Sequence, residues 1–373
     1  MIPCLFDTRK DIEKDKTSGL LTDCLSCTVT EEKNSIFECI FVYPISGNYF
    51  QNICEGKYIK VMCNNAPNMQ IFRIYRRVGN ERGTVTFYCE HISYLLNSVA
   101  VLPFTPTTSL MKCQDALTHI QGHMRPFSSK WQLKAETQIK YNFYGLKNPT
   151  TVREALLSED HIMGVNHWNK GEYEFDNYNI ILHEKRGKQS NVILNYGKNI
   201  KSIEHDISIG NTYTHMLPYL ITHDENSDED VVVTLSKGNT FDPENDALLA
   251  YPNCDKYKDK KVKIVDYSSN WSGTTNGAKY SLEQLAKSDI EYNKAFAKDD
   301  LPTANITISY IDLIKSMEYN NMQNIDKLRL CDWVILYYSP LGINVDIQIV
   351  RTVYDVLRET YKEIGLSNPT EKL

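Results

Sequence analysis

The chain has 373 residues, 42% of them hydrophobic and 24% charged, which is the balance of a folded globular protein with room for two to four domains. A formal net charge of -6 leaves no broad basic surface of the kind that displaces counterions from nucleic acid, so no specific nucleic-acid site is expected. No run approaches the roughly 18 apolar residues of a membrane span, and Met1-Ile2-Pro3-Cys4-Leu5-Phe6 gives way at once to charged Asp7, Arg9 and Lys10, unlike a signal peptide.

From about 20 to 100 the pattern is β. Ile59, Val61 and Cys63 alternate with Lys60 and Met62, and Val85, Phe87 and Cys89 alternate with Thr84, Thr86, Tyr88 and Glu90. Turn-forming clusters at Asn64–Asn68 and Gly79–Gly83 separate the strands, the rhythm of a small antiparallel barrel or sandwich. Beyond Pro103 and Pro106 the period changes. Leu110, Cys113, Leu117, Ile120 and Met124 recur at steps of three and four and predict an amphipathic helix. A second short helix is expected from Pro149-Thr150, turning Val152, Ala155 and Leu156 inward, followed by strands around Tyr173–Phe175 and Tyr178–His183.

Strand patterns return at Ile203, Ile207 and Ile209 and at Val231–Leu235, separated by the acidic stretch Asp224–Asp230. A lysine-rich loop, a Ser/Gly/Asn-rich turn near 268–277 and a helix carrying Leu282, Leu285, Ala286 and Phe296 come next, bounded by Pro302. The last predicted run, Ile306 to Asn368, alternates with period two at Ile306, Ile308 and Tyr310 and again at Val345, Ile347 and Ile349. Between them the apolar Trp333–Tyr338 is closed by Ser339-Pro340-Leu341-Gly342, which suits a tight reversal. Only five residues follow Asn368, so no catalytic module is expected after this β-run.

The possible chemistry is sparse. The ten Cys are scattered and read as reduced core residues; Cys24 and Cys27 form a lone C-x-x-C with no second pair at zinc spacing. Cys89 and His91 share a strand face, yet Cys89 continues the apolar row of Val85 and Phe87, where a thiol packs. His119 and His123 stand at i and i+4, but Ile120 occupies the place of the glutamate in His-Glu-x-x-His, and the helix dipole accounts for imidazoles near a helix C-terminus. His161 and His167 with Glu172 and Glu174, the carboxylates of 224–230, and the Lys256, Lys258, Lys260, Lys261 and Lys263 patch read as solvated surface. No Gly-x-Ser-x-Gly elbow or phosphate-cradling loop occurs. No catalytic, cofactor or metal residue is assigned.

Two sets of words carry a resemblance. Near the start stand Met1-Ile2-Pro3, Leu25–Glu32, Tyr43-Pro44, Gly56, Phe72–Tyr75 and His91–Tyr94. Near the end stand Leu282–Ala286, Ile311-Asp312-Leu313, Tyr319, Leu330–Val334, Leu341-Gly342-Ile343 and Tyr354–Leu357. Together they resemble the prophage tail endopeptidase family, the N-terminal region of phage minor structural or tail-associated lysin proteins. Where that family has Leu-Gly-Asp this chain has Leu330-Cys331-Asp332, and a Cys predicts ordinary β or α backbone there.

The resemblance implies an α+β, mainly β fold with two tail-tube-like antiparallel β-barrels. The first is expected over 1–104, an α+β domain over 105–189, the second barrel over 190–240 and 303–373, and a helix-bearing insertion over 241–302. It implies a baseplate hub or tail-tip protein of a phage, prophage or phage-tail-like bacteriocin, assembled in the bacterial cytoplasm and carried in the virion. Such a hub caps the tube as a homotrimer whose six barrels meet a sixfold ring, and it contacts the distal tail or tube protein, the tape measure protein and tip fibre, spike or lysin components. Any endopeptidase activity is expected in a C-terminal module; the rival reading is a cell-wall hydrolase built around His161, His167 and the acidic run. An adhesin stacking sugars on its 24 Tyr is a third reading.

Overall fold

The chain is described in a computed structural model that defines all residues except 65, 109, 139, 144, 158–170, 197, 226, 228, 237–245, 272, 295–298, 302, 311–327, 342 and 368–373. It divides into two compact units, Met1–His205 with Asn305–Leu373, and Asp206–Ala304. The expected 241–302 segment lies inside the second.

The first unit opens with β1 (Cys4–Phe6), α1 (Arg9–Glu13), β2 (Gly19–Leu20), β3 (Ser26–Glu32), β4 (Phe37–Pro44), β5 (Tyr58–Val61), β6 (Gln70–Gly79) and β7 (Thr84–His91). Alternation sets the buried face. Cys27 and Val29 of β3, Cys39, Phe41 and Tyr43 of β4, and Val85, Phe87 and Cys89 of β7 all point into one core. Register pairs Cys39 with Cys89 and Phe41 with Phe87, whose rings stack at 4.8 Å. The 79–83 turn forms as expected: Asn80 Oδ1 accepts the Arg82 N–H at 2.9 Å and Gly83 supplies φ +72°.

Short strands and helices follow: β8 (Ala100–Val101), β9 (Leu110–Lys112), α2 (Cys113–Gly122), β10 (Met124–Arg125), β11 (Gln132–Ala135), β12 (Lys140–Asn142), β13 (Thr150–Thr151), α3 (Val152–Leu157), β14 (Glu172–Asp176) and β15 (Asn179–His183). Helix α2 buries Cys113, Ala116, Leu117 and Ile120. Leu110, expected on its inner face, precedes the helix on β9 and is 61% exposed. Helix α3 buries Val152, Ala155 and Leu156. Strand β15 pairs antiparallel with β14 and parallel with β11. Asn177 at their turn takes φ +56° and accepts the Ile71 N–H, tying this sheet to β6.

After β16 (Gln189–Asn195) and β17 (Ile200–Ser208) comes the second unit, with β18 (His215–His223), β19 (Asp230–Thr234), β20 (Leu249–Ala250), β21 (Val262–Asp266) and α4 (Ala278–Tyr292). Its core is helix on sheet. Ala278, Leu282 and Ala286 of α4 pack with Met216, Leu220, Tyr251 and Tyr267. Phe296, expected to extend this helix face, lies outside the described residues. Buried Asp300 accepts the Asn253 backbone and side-chain N–H groups and the Asn293 amide, all at 2.9 to 3.0 Å, which satisfies a carboxylate that burial would otherwise penalise.

The chain re-enters the first unit through β22 (Thr303–Tyr310), β23 (Trp333–Tyr338), β24 (Ile343–Asp355) and β25 (Thr360–Leu366). Strand β24 is thirteen residues long and serves two sets of partners: Ile343–Gln348 pairs with β23, and its later half lies between β25 and β3. The N-terminal and C-terminal β-regions are therefore one thirteen-stranded sheet, ordered β17-β22-β25-β24-β3-β4-β7-β6-β5-β1-β2, with β23 and β16 attached through β24. This sheet holds the strands expected to form two tail-tube-like antiparallel β-barrels. No closed barrel is found among the described residues, and β16 runs parallel to β23. Between β16 and β17 the bridge Tyr196–Ile200 is described.

Cys331 departs from its expectation. Its φ is +71°, not the ordinary backbone its side chain predicts. Cys331 N–H donates to Ile349 O at 2.8 Å and Ile349 N–H to Asp332 O at 2.9 Å, while Asp332 accepts the N–H groups of Arg329 and Lys188. Gly187 packs so closely that a Cβ there would fall 1.8 Å from Cys331 O. These tertiary contacts hold the backbone in a left-handed conformation that its Cβ disfavours.

Candidate functional site

The residues singled out for chemistry are mostly committed elsewhere. Cys24 donates to Ser26 O at 3.2 Å, and burial pushes its thiol up to about 12; Cys27 lies against Cys39 with their sulfurs 3.6 Å apart. All ten cysteines are free. Burial raises the Cys89 thiol well above its usual range, and burial with the nearby Arg153 charge holds His91 well below its own, so neither forms the thiolate–imidazolium pair of a nucleophile. His91 faces Ser93 Oγ at 3.0 Å and Gln70 Oε1 at 3.2 Å and stacks on Phe37.

His119 and His123 both stack on Phe104, and His123 Nδ1 lies 2.8 Å from His119 O. They line a surface cavity of 470 Å³ with Thr108, Met111, Asp115 and Thr118. Among the described residues no group of three or more His, Cys, Asp or Glu could hold a metal. His161 and His167 lie outside the described residues, whereas Glu172 and Glu174 stand on β14 facing other partners. Of the acidic run, Asp224 and Glu225 follow β18 and accept from Thr275 and Thr274, and Asp230 opens β19. Lys261 donates to Ile209 O and Gly210 O and Lys263 pairs with Asp299 at 2.6 Å; Lys256, Lys258 and Lys260 are exposed.

What the molecule does present is sheet surface. In the second unit α4 covers one face of the β18–β19–β21 sheet, and the opposite face carries Val262, Leu217, Ile264, Ile221 and Val232 around Tyr219. Ile264 is 67% and Val232 63% exposed. Register sets Ile221 opposite Val232 and Leu217 beside Ile264, so these side chains are contiguous. In the first unit the outer row of β23, Trp333, Ile335 and Tyr337, lies beside Ile193 of β16, which is 50% exposed. The run Val231-Val232-Val233, apolar on both faces of an edge strand, is the sequence signal that could have revealed the first of these surfaces.

The family described as prophage endopeptidase tail matches residues 188–373. These residues belong to the prophage endopeptidase tail family. Its fold is similar along the whole length to solved tail proteins. The prophage tail protein gp18 of Listeria monocytogenes EGD-e is 14% identical with a TM-score of 0.57, over 100% of this chain and 96% of that one. The 43 kDa tail protein of prophage MuSo2 from Shewanella oneidensis is 10% identical with a TM-score of 0.57, over 100% and 98%. The tail protein from Neisseria meningitidis MC58 is 10% identical with a TM-score of 0.56, over 98% and 96%. No curated protein matches the chain.

The start of the prophage endopeptidase tail match, Lys188, coincides with a buried polar junction. Glu31 of β3 pairs with Arg186 at 2.9 Å and accepts from Asn64 at 2.6 Å. Burial works against the Arg186 charge, but Glu31, Cys331 and Glu174 together outweigh it and raise the guanidinium pKa. Glu172 accepts from Arg186 N–H, Lys33 and Gln348; burial would raise its pKa, and Lys33 with these donors instead holds it below the usual carboxylate range. Gln348 also donates to Cys331 O at 3.0 Å. The cluster joins β3, β14, the segment before β16, and β24. It resembles a structural lock, since each of its charges is matched by a partner. Among the described residues no helix is long and apolar enough to cross a membrane.

Proposed function

We propose that this chain is a structural subunit of a phage or prophage tail tip: a baseplate hub that caps the tail tube as a homotrimer and links it to distal components. The observation that carries the reading is the likeness of fold to prophage tail proteins along the whole chain, joined to the family match over residues 188–373. Two β-regions meeting on β24 would give each copy two tube-like halves, and three copies six, suited to a sixfold ring. The partners are the distal tail or tube ring, the tape measure protein and tip fibre, spike or lysin components, and the location is the virion or a tail-like particle such as a bacteriocin.

Light scattering across concentration, alone and with the distal tail protein, tests the reading. A mass three times the 43.0 kDa chain, or trimerisation on that ring, is expected; a monomer under both conditions overturns it. The family's description carries the word endopeptidase, so a cell-wall peptidase is the second reading. Bound zinc together with peptidoglycan digestion by the purified chain would establish it.

A further inference from the structure

Two apolar sheet faces, one in each unit, have no described cover. The outer face of β18–β19–β21 combines a parallel strand pair with β-branched residues on both sides, a composition found where a sheet is buried on both faces. Isolated surface aliphatics need no explanation, but a contiguous set of five around a tyrosine is the mark of a contact surface. The row Trp333, Ile335 and Tyr337 with Ile193 is a second such surface.

We propose that these faces are the two sides of one contact between copies of this chain: the β18–β19–β21 face of one copy packs on the β16–β23 face of the next. The inference rests on the ring reading above. Two different patches meeting head to tail make a heterologous contact, the kind a three-copy ring requires, whereas a face pairing with itself would stop at two copies. Charge supports the match. Exposed Lys256, Lys258 and Lys260 precede β21 at one end of the first face, and Asp224, Glu225, Glu229 and Asp230 form the turn at the other. The second face has exposed Lys185 and Lys188 before β16 and Asp346 opposite Ile335. The acidic turn can lie over Lys185 and Lys188 while the lysine end approaches Asp346, with the aliphatics between them excluding water.

The test uses the full chain and two double variants at exposed positions, Val232→Glu with Ile264→Glu, and Ile193→Glu with Tyr337→Glu, each checked for native circular dichroism. Each alone is expected at the mass of one chain. Mixed, they retain one intact face each and form a one-to-one pair of twice the chain mass that grows no further. Ile264→Lys combined with Ile193→Glu in one chain restores the larger assembly. A trimer that survives both double variants, or a mixture that stays monomeric, overturns this contact and leaves the ring reading standing. A wild-type chain that never assembles overturns both.

Discussion

The two units solve the problem of stability differently. The first spreads its core along a thirteen-stranded sheet and fastens distant segments with a buried ionic cluster around Arg186. The second rests on one helix and one sheet, with Ala278, Leu282 and Ala286 on one side and nothing described on the other. A cross-linked sheet and a two-layer flap should differ in cooperativity: the first unfolds as a whole, and the second opens locally at lower free energy.

The largest expected effect tests the lock. Arg186→Ala strands Glu31 and costs roughly 3 kcal/mol, toward the lower end for a buried pair because Arg186 keeps 17% of its side chain in solvent. Denaturant melts of the whole chain measure it, and an unchanged midpoint would remove the cluster from the account. Leu282→Ala is expected to cost about 2 to 3 kcal/mol and to act on the second unit, raising amide exchange in β18 and α4 while β3, β4 and β7 keep their protection. Equal loosening of both units would erase the contrast.

A smaller effect is pH-dependent. His183 lies 2.8 Å from both Glu136 and Glu174. Burial lowers its pKa, but the Glu174 hydrogen bond and the Glu136 charge more than offset this, leaving it raised. The His183 contribution is therefore fully present below about pH 6.5 and is lost as pH rises through the higher folded value. Glu174 is lowered by the same bond, so its share is lost as pH falls through its folded value. The melting-temperature gap between wild type and His183→Gln should be widest below about pH 6.5 and close as pH rises through the raised folded value. A gap that grows toward alkaline pH would contradict this sign. The smallest change is expected from Cys331→Gly, which relieves the positive φ while giving up a buried thiol and stays within about 1 kcal/mol of wild type. Cys331→Val, which adds a branch at the same φ, is expected to lose more in the same melts.

Local pattern explains why some of this was readable. Val85, Phe87 and Cys89, the turns of α2 and α3, and the reversal after Tyr338 each depend on neighbours a few residues away. Partner choice does not. Nothing near Thr28–Glu32 announces β24, and nothing in β16 announces that it runs parallel to β23. Cys331 misled because its conformation is imposed by Gly187, Ile349 and Asp332 rather than by its own side chain. The polar junction escaped notice for a similar reason: Glu31, Arg186, Glu172 and Gln348 come from separate segments and share no spacing. The i, i+4 histidines were conspicuous in sequence, yet both rings are occupied by Phe104.

Strand β3 finds its outer partner in β24, with Glu32 and Arg351 bonded across 319 residues of chain. At a synthesis rate of roughly 5 to 20 residues per second, the ribosome needs on the order of tens of seconds to deliver that partner. Through this interval the nascent N-terminal sheet carries an unpaired edge, a template for pairing with the same strand of a neighbouring nascent chain. Glu31, Glu32 and Lys33 place charge at one end of that edge and discourage such pairing until β24 arrives.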